Sequence, residues 1–349
     1  MSETTSAVKN LLKGGEFLVK ESNYLDTYTP EDLNEEQQMI VDTVVSFVDA
    51  EVIPIYDKIE TQEPGLTESL LEKAGELGLL GLAIPEEYGG MGKDFNTNSL
   101  LVENMAKARS FSLSVGAHIG IGTLPIVYFG NEQQKSHYLP KLASGELKAC
   151  YCLTEPSSGS DALGAKTTAM LNAEGTHYIV NGQKMWITNS GFADVFIVFC
   201  QIDGDKFSCL ILEKGMEGLT LGAEEKKMGI KGSSTRQVFL ENVKVPKENL
   251  LGEIGKGHLI AFNILNIGRY KLAVGVLGGS KSVIEQSVKY AVERQQFKVP
   301  IASFGAIQYK IAEMATRVYA LQSACYRACD MIDNKEKELV AQGKAYQEA

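Results

Sequence analysis

The chain has no C-x-x-C pair among its six cysteines, and its four histidines (His118, His137, His177 and His258) do not stand at zinc-ligand spacings beside them. No metal site is therefore expected. Cys150, Cys152, Cys200, Cys209, Cys325 and Cys329 read as reduced, structural residues, four of them within apolar stretches. Basic residues are in the minority, 34 Lys and Arg against 44 Asp and Glu, for a net charge of −10. Such a balance argues against nucleic-acid binding, which needs a clustered basic surface. No apolar run approaches bilayer length, so no integral membrane segment is expected. The first thirty residues lack a signal-peptide core, and their acidic Glu3, Glu16 and Glu21 fit a mitochondrial transit peptide poorly. A cytoplasmic location is the expectation. There is no G-x-G-x-x-G after a strand, and Gly252-Glu253-Ile254-Gly255-Lys256-Gly257 lacks the Ser or Thr of a P-loop. Neither a Rossmann domain nor a P-loop NTPase is expected. Ser157, Ser158 and Ser160 have no G-x-S-x-G elbow around them, and the histidines read as surface or capping residues.

What is present is an ordinary globular composition, 44% hydrophobic and 22% charged, over 349 residues. Its pattern changes twice. From 34 to 150 the spacing is helical: Val41, Val44, Val45, Val48 and Val52 recur at three- and four-residue steps before Pro54. Leu70, Leu71, Ala74 and Leu77 follow, closed by Gly78 and Gly81. From 151 to 256 the period shifts to two. Tyr178-Ile179-Val180 and Lys184-Met185-Trp186-Ile187 read as strands joined by a tight Asn181-Gly182 hairpin. From 257 to 349 helices return, one running to about Arg294 with an interruption near Gly275, Gly278 and Gly279, and one after Gly305. The expected class is α+β and multidomain: an N-terminal all-α domain, a central β-barrel or sandwich, and a C-terminal helical bundle. Residues 1–33 read as an extension. The bundle is expected to be incomplete, because too few helices follow 257 to close four.

The most informative stretch is Tyr151-Cys152-Leu153-Thr154-Glu155-Pro156-Ser157-Ser158-Gly159-Ser160-Asp161, a strand entering a loop rich in hydroxyls and backbone donors. Some thirty residues later, Lys184-Met185-Trp186-Ile187-Thr188-Asn189 carries the only tryptophan. A flat aromatic beside hydroxyl and amide donors can pack on a planar cofactor.

Together with Asn181-Gly182-Gln183, these two segments resemble the flavin-binding signatures of the acyl-CoA dehydrogenase family. The resemblance extends to Ile84-Pro85-Glu86-Glu87-Tyr88-Gly89-Gly90, to Lys227-Met228-Gly229-Ile230-Lys231 and to Val243-Lys244-Val245-Pro246. Within the family, Ile264-Leu265-Asn266-Ile267-Gly268-Arg269-Tyr270 and Arg294-Gln295-Gln296-Phe297 look most like the very-long-chain branch. The resemblance implies FAD as cofactor. Tyr151, Leu153, Thr154, Gly159, Ser160, Trp186 and Thr188 match positions that contact it. Arg294, Gln296, Phe297 and Gln308 match the segment that reaches a neighbouring subunit's FAD, which implies a homodimer or a dimer of dimers. Ser160, Asn266 and Arg269 match positions lining the acyl-CoA site.

The implied reaction is α,β-dehydrogenation of long-chain fatty acyl-CoA thioesters in β-oxidation, with electrons passing to an electron-transferring flavoprotein. Acyl-CoA oxidase chemistry and a catalytically silent scaffold of the same fold are the rivals. The family's base is a glutamate in one of two places. One is held here by Gly268, and the other lies on a late loop expected beyond Ala349. No residue of the chain is assigned as the base.

Overall fold

The computed structural model describes residues 16, 19–21 and 27–343, so most of the 1–33 extension lies outside the described residues. The N-terminal part is helical: α1 (Glu35–Phe47), α2 (Tyr56–Glu60), α3 (Leu66–Glu76), α4 (Phe95–Met105), α5 (Ser110–Gly116), α6 (Leu124–Phe129) and α7 (Glu132–Ser144). Helix α1 starts where Asn34 accepts the Gln37 N–H at 2.8 Å and Gln37 answers on the Asn34 N–H, a reciprocal cap. Asn131 and Gln134 repeat the device at α7. The core face of α1 is Ile40, Val44 and Phe47, with Val45 exposed. Pro54, expected to end or bend the first helix, lies past the end of α1, in a short 3-10 turn after a π turn over Val48–Val52, where the segment changes helical type.

The β domain is one eight-stranded sheet. Strands β1 (Ala149–Cys152), β2 (Thr168–Leu171), β3 (His177–Thr188), β4 (Val195–Ile202), β5 (Lys206–Glu213), β6 (Leu219–Leu221), β7 (Thr235–Pro246) and β8 (Leu250–Leu251) are arranged in the order β6-β7-β3-β2-β4-β5-β8, with β1 parallel to β4. Alternate residues of strands far apart in that order, Leu210 and Leu212 of β5 with Val238 and Val243 of β7, share one core. The sheet therefore wraps over itself. The other face of β4, Val195, Ile197 and Phe199, packs against the helices. Strand β1 begins at Ala149, so it straddles the boundary expected between 150 and 151.

Two expectations are corrected here. Asn181-Gly182 is not a hairpin: β3 runs unbroken through it, with a register shift between Val180 and Gly182. Strand β7 is long enough to pair with all of β3, and a Cβ at Gly182 would lie 2.3 Å from the Thr167 hydroxyl. The glycine permits that close approach. Likewise Gly275, Gly278 and Gly279 do not interrupt α8, which is continuous over Gly257–Glu293. A Cβ at Gly278 would sit 1.8 Å from the Glu103 carbonyl oxygen, so glycine lets α8 and α4 touch backbone to backbone. A short hairpin, β9 (Gln295–Gln296) with β10 (Val299–Pro300), leads into α9 (Gly305–Ala341).

Helices α8 and α9 join the N-terminal helices through Leu100, Val274, Leu277, Cys325 and Tyr326. Tyr28 and Leu33, expected to lie outside the core, pack against this cluster. His118, expected at the surface or a cap, is fully buried. Its Nε2–H donates to the Leu142 carbonyl at 2.9 Å, while Nδ1 accepts the Ala149 N–H at 3.2 Å. Burial pulls it down to about 4, so it stays neutral. All six cysteines are free and buried.

The expectation about long apolar runs also needs correction. The stretches Ser110–Phe129 and Gly257–Glu293 reach the length and mean hydropathy of a bilayer span, at 1.4 and 1.2. They do so as windowed averages that admit Gly, Ser and Asn between apolar residues. The first is 78% buried within the fold, as a core helix is; the second is 28% buried.

Asp333 of α9 caps α4 from across the interface, accepting the N–H groups of Phe95 at 2.7 Å and Asn96 at 2.8 Å. Burial pushes its carboxyl up to about 6 against the pull of those two donors. A raised folded pKa favours the protonated folded state, so this group's contribution declines as pH climbs from the ordinary 3.8 to about 6. Asp333→Asn is expected to flatten the fall in melting temperature across that window. Parallel curves for the two proteins would contradict this.

Candidate active site at the sheet and the helix cavity

The two segments singled out by the sequence lie side by side. Lys184 of β3, fully buried, places Nζ 2.7 Å from Glu155 Oε1 and 3.3 Å from the Leu153 carbonyl. Glu155 also accepts the N–H groups of Lys166 at 2.5 Å and Thr167 at 3.1 Å. Burial works to raise this carboxyl, but the Lys184 charge and these donors outweigh it and hold the group below the usual carboxylate range. Removing one partner would leave an uncompensated buried charge. The pair thus fixes both ends of the 155–167 loop against β3. The Met185 N–H donates to the Thr154 carbonyl at 2.9 Å, and Glu155 and Ser158 exchange two backbone bonds. That tight turn leaves Ser157, Gly159 and Ser160 exposed, and a Cβ at Gly159 would meet nothing within 4 Å.

Strand β3 changes register again between Lys184 and Ile187, and this bulge turns Trp186 outward. Trp186 takes φ 57° and Asn189 φ 69°. Trp186 is 60% exposed, while buried Asn189 donates from its side chain to the Ser114 carbonyl at 2.9 Å. Left-handed non-glycine residues of this kind concentrate at functional sites. Between them Thr188 faces a cavity of about 620 Å³.

That cavity lies between α4, α5 and α8. Its walls are mostly apolar, including Leu101, Met105, Val115, Ile119, Ile264 and Leu272. Ile230, in the left-handed region at φ 54°, completes it from the β domain. Among the described residues no Asp or Glu lines it, whereas Arg109, Arg269 and Lys271 do. The Arg109 guanidinium covers the Tyr56 ring at 4.2 Å, and Arg269 donates to Asn266 Oδ1 at 2.7 Å.

Not all the residues matched in the sequence meet at this place. Thr154, Gly159, Ser160, Trp186 and Thr188 lie along the loop and the end of β3. Tyr151 and Leu153 are buried, and the Tyr151 hydroxyl donates to the Ala261 carbonyl of α8 at 3.3 Å. Asn266 and Arg269 sit mid-helix on α8, so Asn266 is not a helix cap. Arg294, Gln296, Phe297 and Gln308 cluster at the hairpin beyond the far end of α8, exposed, with Phe297 at 88% and φ 51°. From Arg269 to Arg294 the helix rises roughly 37 Å at 1.5 Å per residue. The Glu155–Lys184 pair and Lys271 were not assigned roles from the sequence. Lys184 gives no local signal, because its partner is 29 residues away. Lys271 does, since it falls at helical spacing on a stripe with Ile264, Gly268 and Gly275.

Comparison with known proteins agrees with this architecture. The acyl-CoA dehydrogenase N-terminal, middle and C-terminal domain families match residues 34–146, 150–243 and 255–346. A probable acyl-CoA dehydrogenase of Bacillus subtilis is 58% identical over 95% of this chain and 56% of its own length. The human mitochondrial very long-chain specific acyl-CoA dehydrogenase is 39% identical over 87% of this chain and 48% of its own. A crystal structure of an acyl-CoA dehydrogenase complexed with FAD from Bacillus anthracis superposes with a TM-score of 0.93 at 56% identity. It is covered over 58% of its length, and this chain over 96%. The chain belongs to the acyl-CoA dehydrogenase family. It spans about half the length of these relatives.

Proposed function

We propose that the chain binds FAD along the 153–161 loop and the end of β3 and takes part in α,β-dehydrogenation of acyl-CoA thioesters, fatty acyl groups being the class the resemblance implies. The observation that carries this reading is the apolar cavity, which reaches Thr188 on the sheet side and Gly268 and Arg269 on α8. An acyl chain needs such a slot beside the flavin. The residues present fit the cofactor. Trp186 offers a flat aromatic face that no protein group covers fully, and Gly159 leaves open space beside exposed hydroxyls. When bound, FAD supplies a two-electron acceptor for the hydride from the substrate β-carbon.

The chain's own residues bind and orient. Thr154, Ser160 and Thr188 offer hydroxyls to the flavin and its ribityl chain, and Trp186 flanks the ring. Ser160, Asn266 and Arg269 hold the thioester's CoA portion, with Arg269 free to turn its remaining donors to phosphate. Tyr151 and Leu153 support the loop from beneath. Removal of the α-proton requires a desolvated carboxylate. Gly268 holds the position where one branch of the family places it. Electrons then pass to an electron-transferring flavoprotein.

Arg294, Gln296, Phe297 and Gln308 lie beyond the far end of α8, around the hairpin and in the first turn of α9, and serve the flavin of a second copy. Sedimentation of the FAD-loaded chain is expected to give at least a dimer, and titration with a saturated acyl-CoA is expected to shift the bound flavin's absorption. A monomer at saturating FAD contradicts the subunit sharing. An unmoved flavin band contradicts acyl-CoA binding.

A further inference from the structure

Between β6 and β7 the loop 222–234 crosses from the sheet to the N-terminal helices, and its Ile230 forms part of the cavity wall. The base of the loop is held by the β domain. Glu224 accepts the Ser234 hydroxyl at 2.6 Å, the Thr235 N–H at 2.8 Å and the Arg236 Nε–H at 2.7 Å. Lys227 Nζ braces the turn, donating to the Ser233 carbonyl and, at 2.8 Å, to the Thr235 hydroxyl. The tip is held from the other side. Gln62, just past α2, donates from Nε2 to the Lys231 carbonyl at 2.7 Å. Gly232 comes so near to α2 that a Cβ there would lie 2.7 Å from the Ile59 carbonyl oxygen and 3.0 Å from Glu60 Oε1. Glycine permits that approach.

Glu60 is the centre of this contact. It accepts the Ser110 hydroxyl of α5 and the Tyr56 hydroxyl of its own helix, and it faces the backbone of Gly232 and Lys231. Burial works to raise its carboxyl, but these partners outweigh it and hold the group below the usual carboxylate range. Tyr56, Ser110 and Ile230 line the cavity from three separate segments, and Glu60 stands behind them. Hydrogen bonds to a carboxylate are stronger than neutral ones and directional, so one such hub can fix three walls at once. We propose that Glu60 is a positioning residue of the acyl slot, latching the tip of loop 222–234 onto α2 and α5 and so holding Ile230 against the bound chain. The inference rests on the reading of the cavity as an acyl site. The latch acts on the tip alone, because Glu224 anchors the base where Thr235 pairs with Thr188. Releasing it loosens acyl binding and spares the flavin.

The test uses the FAD-loaded chain and palmitoyl-CoA, with binding read from the shift in flavin absorption. Limited trypsin digestion reports the loop, which carries Lys226, Lys227 and Lys231. Glu60→Gln is expected to weaken palmitoyl-CoA binding about tenfold, the scale of a lost hydrogen bond to a charged group, and to speed cleavage in the loop. FAD affinity should hold. Gly232→Ala, which pushes the same contact apart from the opposite side, is expected to do likewise. The double variant should bind no more weakly than either single one, since both break one latch. Gln62→Asn suits the left-handed backbone there, φ 55°, but is one methylene short of the Lys231 carbonyl. It should move both readouts in the same direction by less, and it serves should Glu60→Gln fail to fold. Unchanged palmitoyl-CoA affinity in these variants overturns the inference while leaving the proposed function standing. Additive losses in the double variant overturn it too, as does a parallel fall in FAD affinity, which would make Glu60 a general support of the fold. An unaltered chain whose flavin band does not respond to palmitoyl-CoA contradicts the proposed function, and the inference with it.

Discussion

Gly268→Glu is expected to increase the rate of substrate-driven flavin reduction in this chain by about 10²–10⁴-fold, the usual worth of a positioned general base. The argument is one of space and surroundings. A Cβ at position 268 meets nothing closer than Ile121 Cγ2 at 3.6 Å, an ordinary contact, and the residue faces the cavity. No carboxylate among the described residues lines that cavity to compete with the new one. Apolar walls at Ile121, Ile264 and Leu265 would keep water off the carboxylate and raise its basicity. Glycine within a helix is also a weak helix former, so glutamate there carries a local gain of roughly 0.5–1 kcal/mol. Gly268→Gln is the control, equal in size but unable to take the proton. Stopped-flow mixing of each FAD-loaded variant with an acyl-CoA distinguishes them. Equal rates for the Glu and Gln variants would show that position 268 does not reach the α-carbon.

Trp186→Ala is expected to weaken FAD affinity by about 1–3 kcal/mol, roughly 5- to 150-fold, the worth of a large apolar contact. Trp186 is 60% exposed in the unliganded chain, so truncation opens no core cavity. The melting temperature of the FAD-free protein should therefore hardly move. Lys184, two residues earlier in the same strand, behaves differently. Truncating it would leave Glu155 buried and uncompensated, and folding itself would suffer. A Trp186→Ala protein with unchanged flavin affinity would place the cofactor elsewhere.

Much of this site is legible in the sequence because its signals are local. The hydroxyl-rich run from Thr154 to Ser160 and the lone tryptophan stand out by composition, and the shift from helical to twofold spacing marks the β domain. What escapes is set by partners distant in the chain. Asn181-Gly182 carries the strongest short-range hairpin signal, yet β7 supplies a continuous ladder and the glycine answers the approach of Thr167. Gly278 looks like a helix breaker until Glu103 of α4 is seen against it. The bulge that aims Trp186 outward depends on β7 pairing and has no sequence mark of its own. Lys271 was open to detection, since a lysine on an apolar stripe breaks the helical pattern.

The central claim is that flavin lies against the end of β3, and the chain provides its own reporter. Trp186 is its only tryptophan. Titrating the FAD-free protein with FAD while following tryptophan emission should give saturable quenching at one equivalent per chain, with the same midpoint as flavin absorbance. Saturable flavin binding with undiminished Trp186 emission would contradict the account.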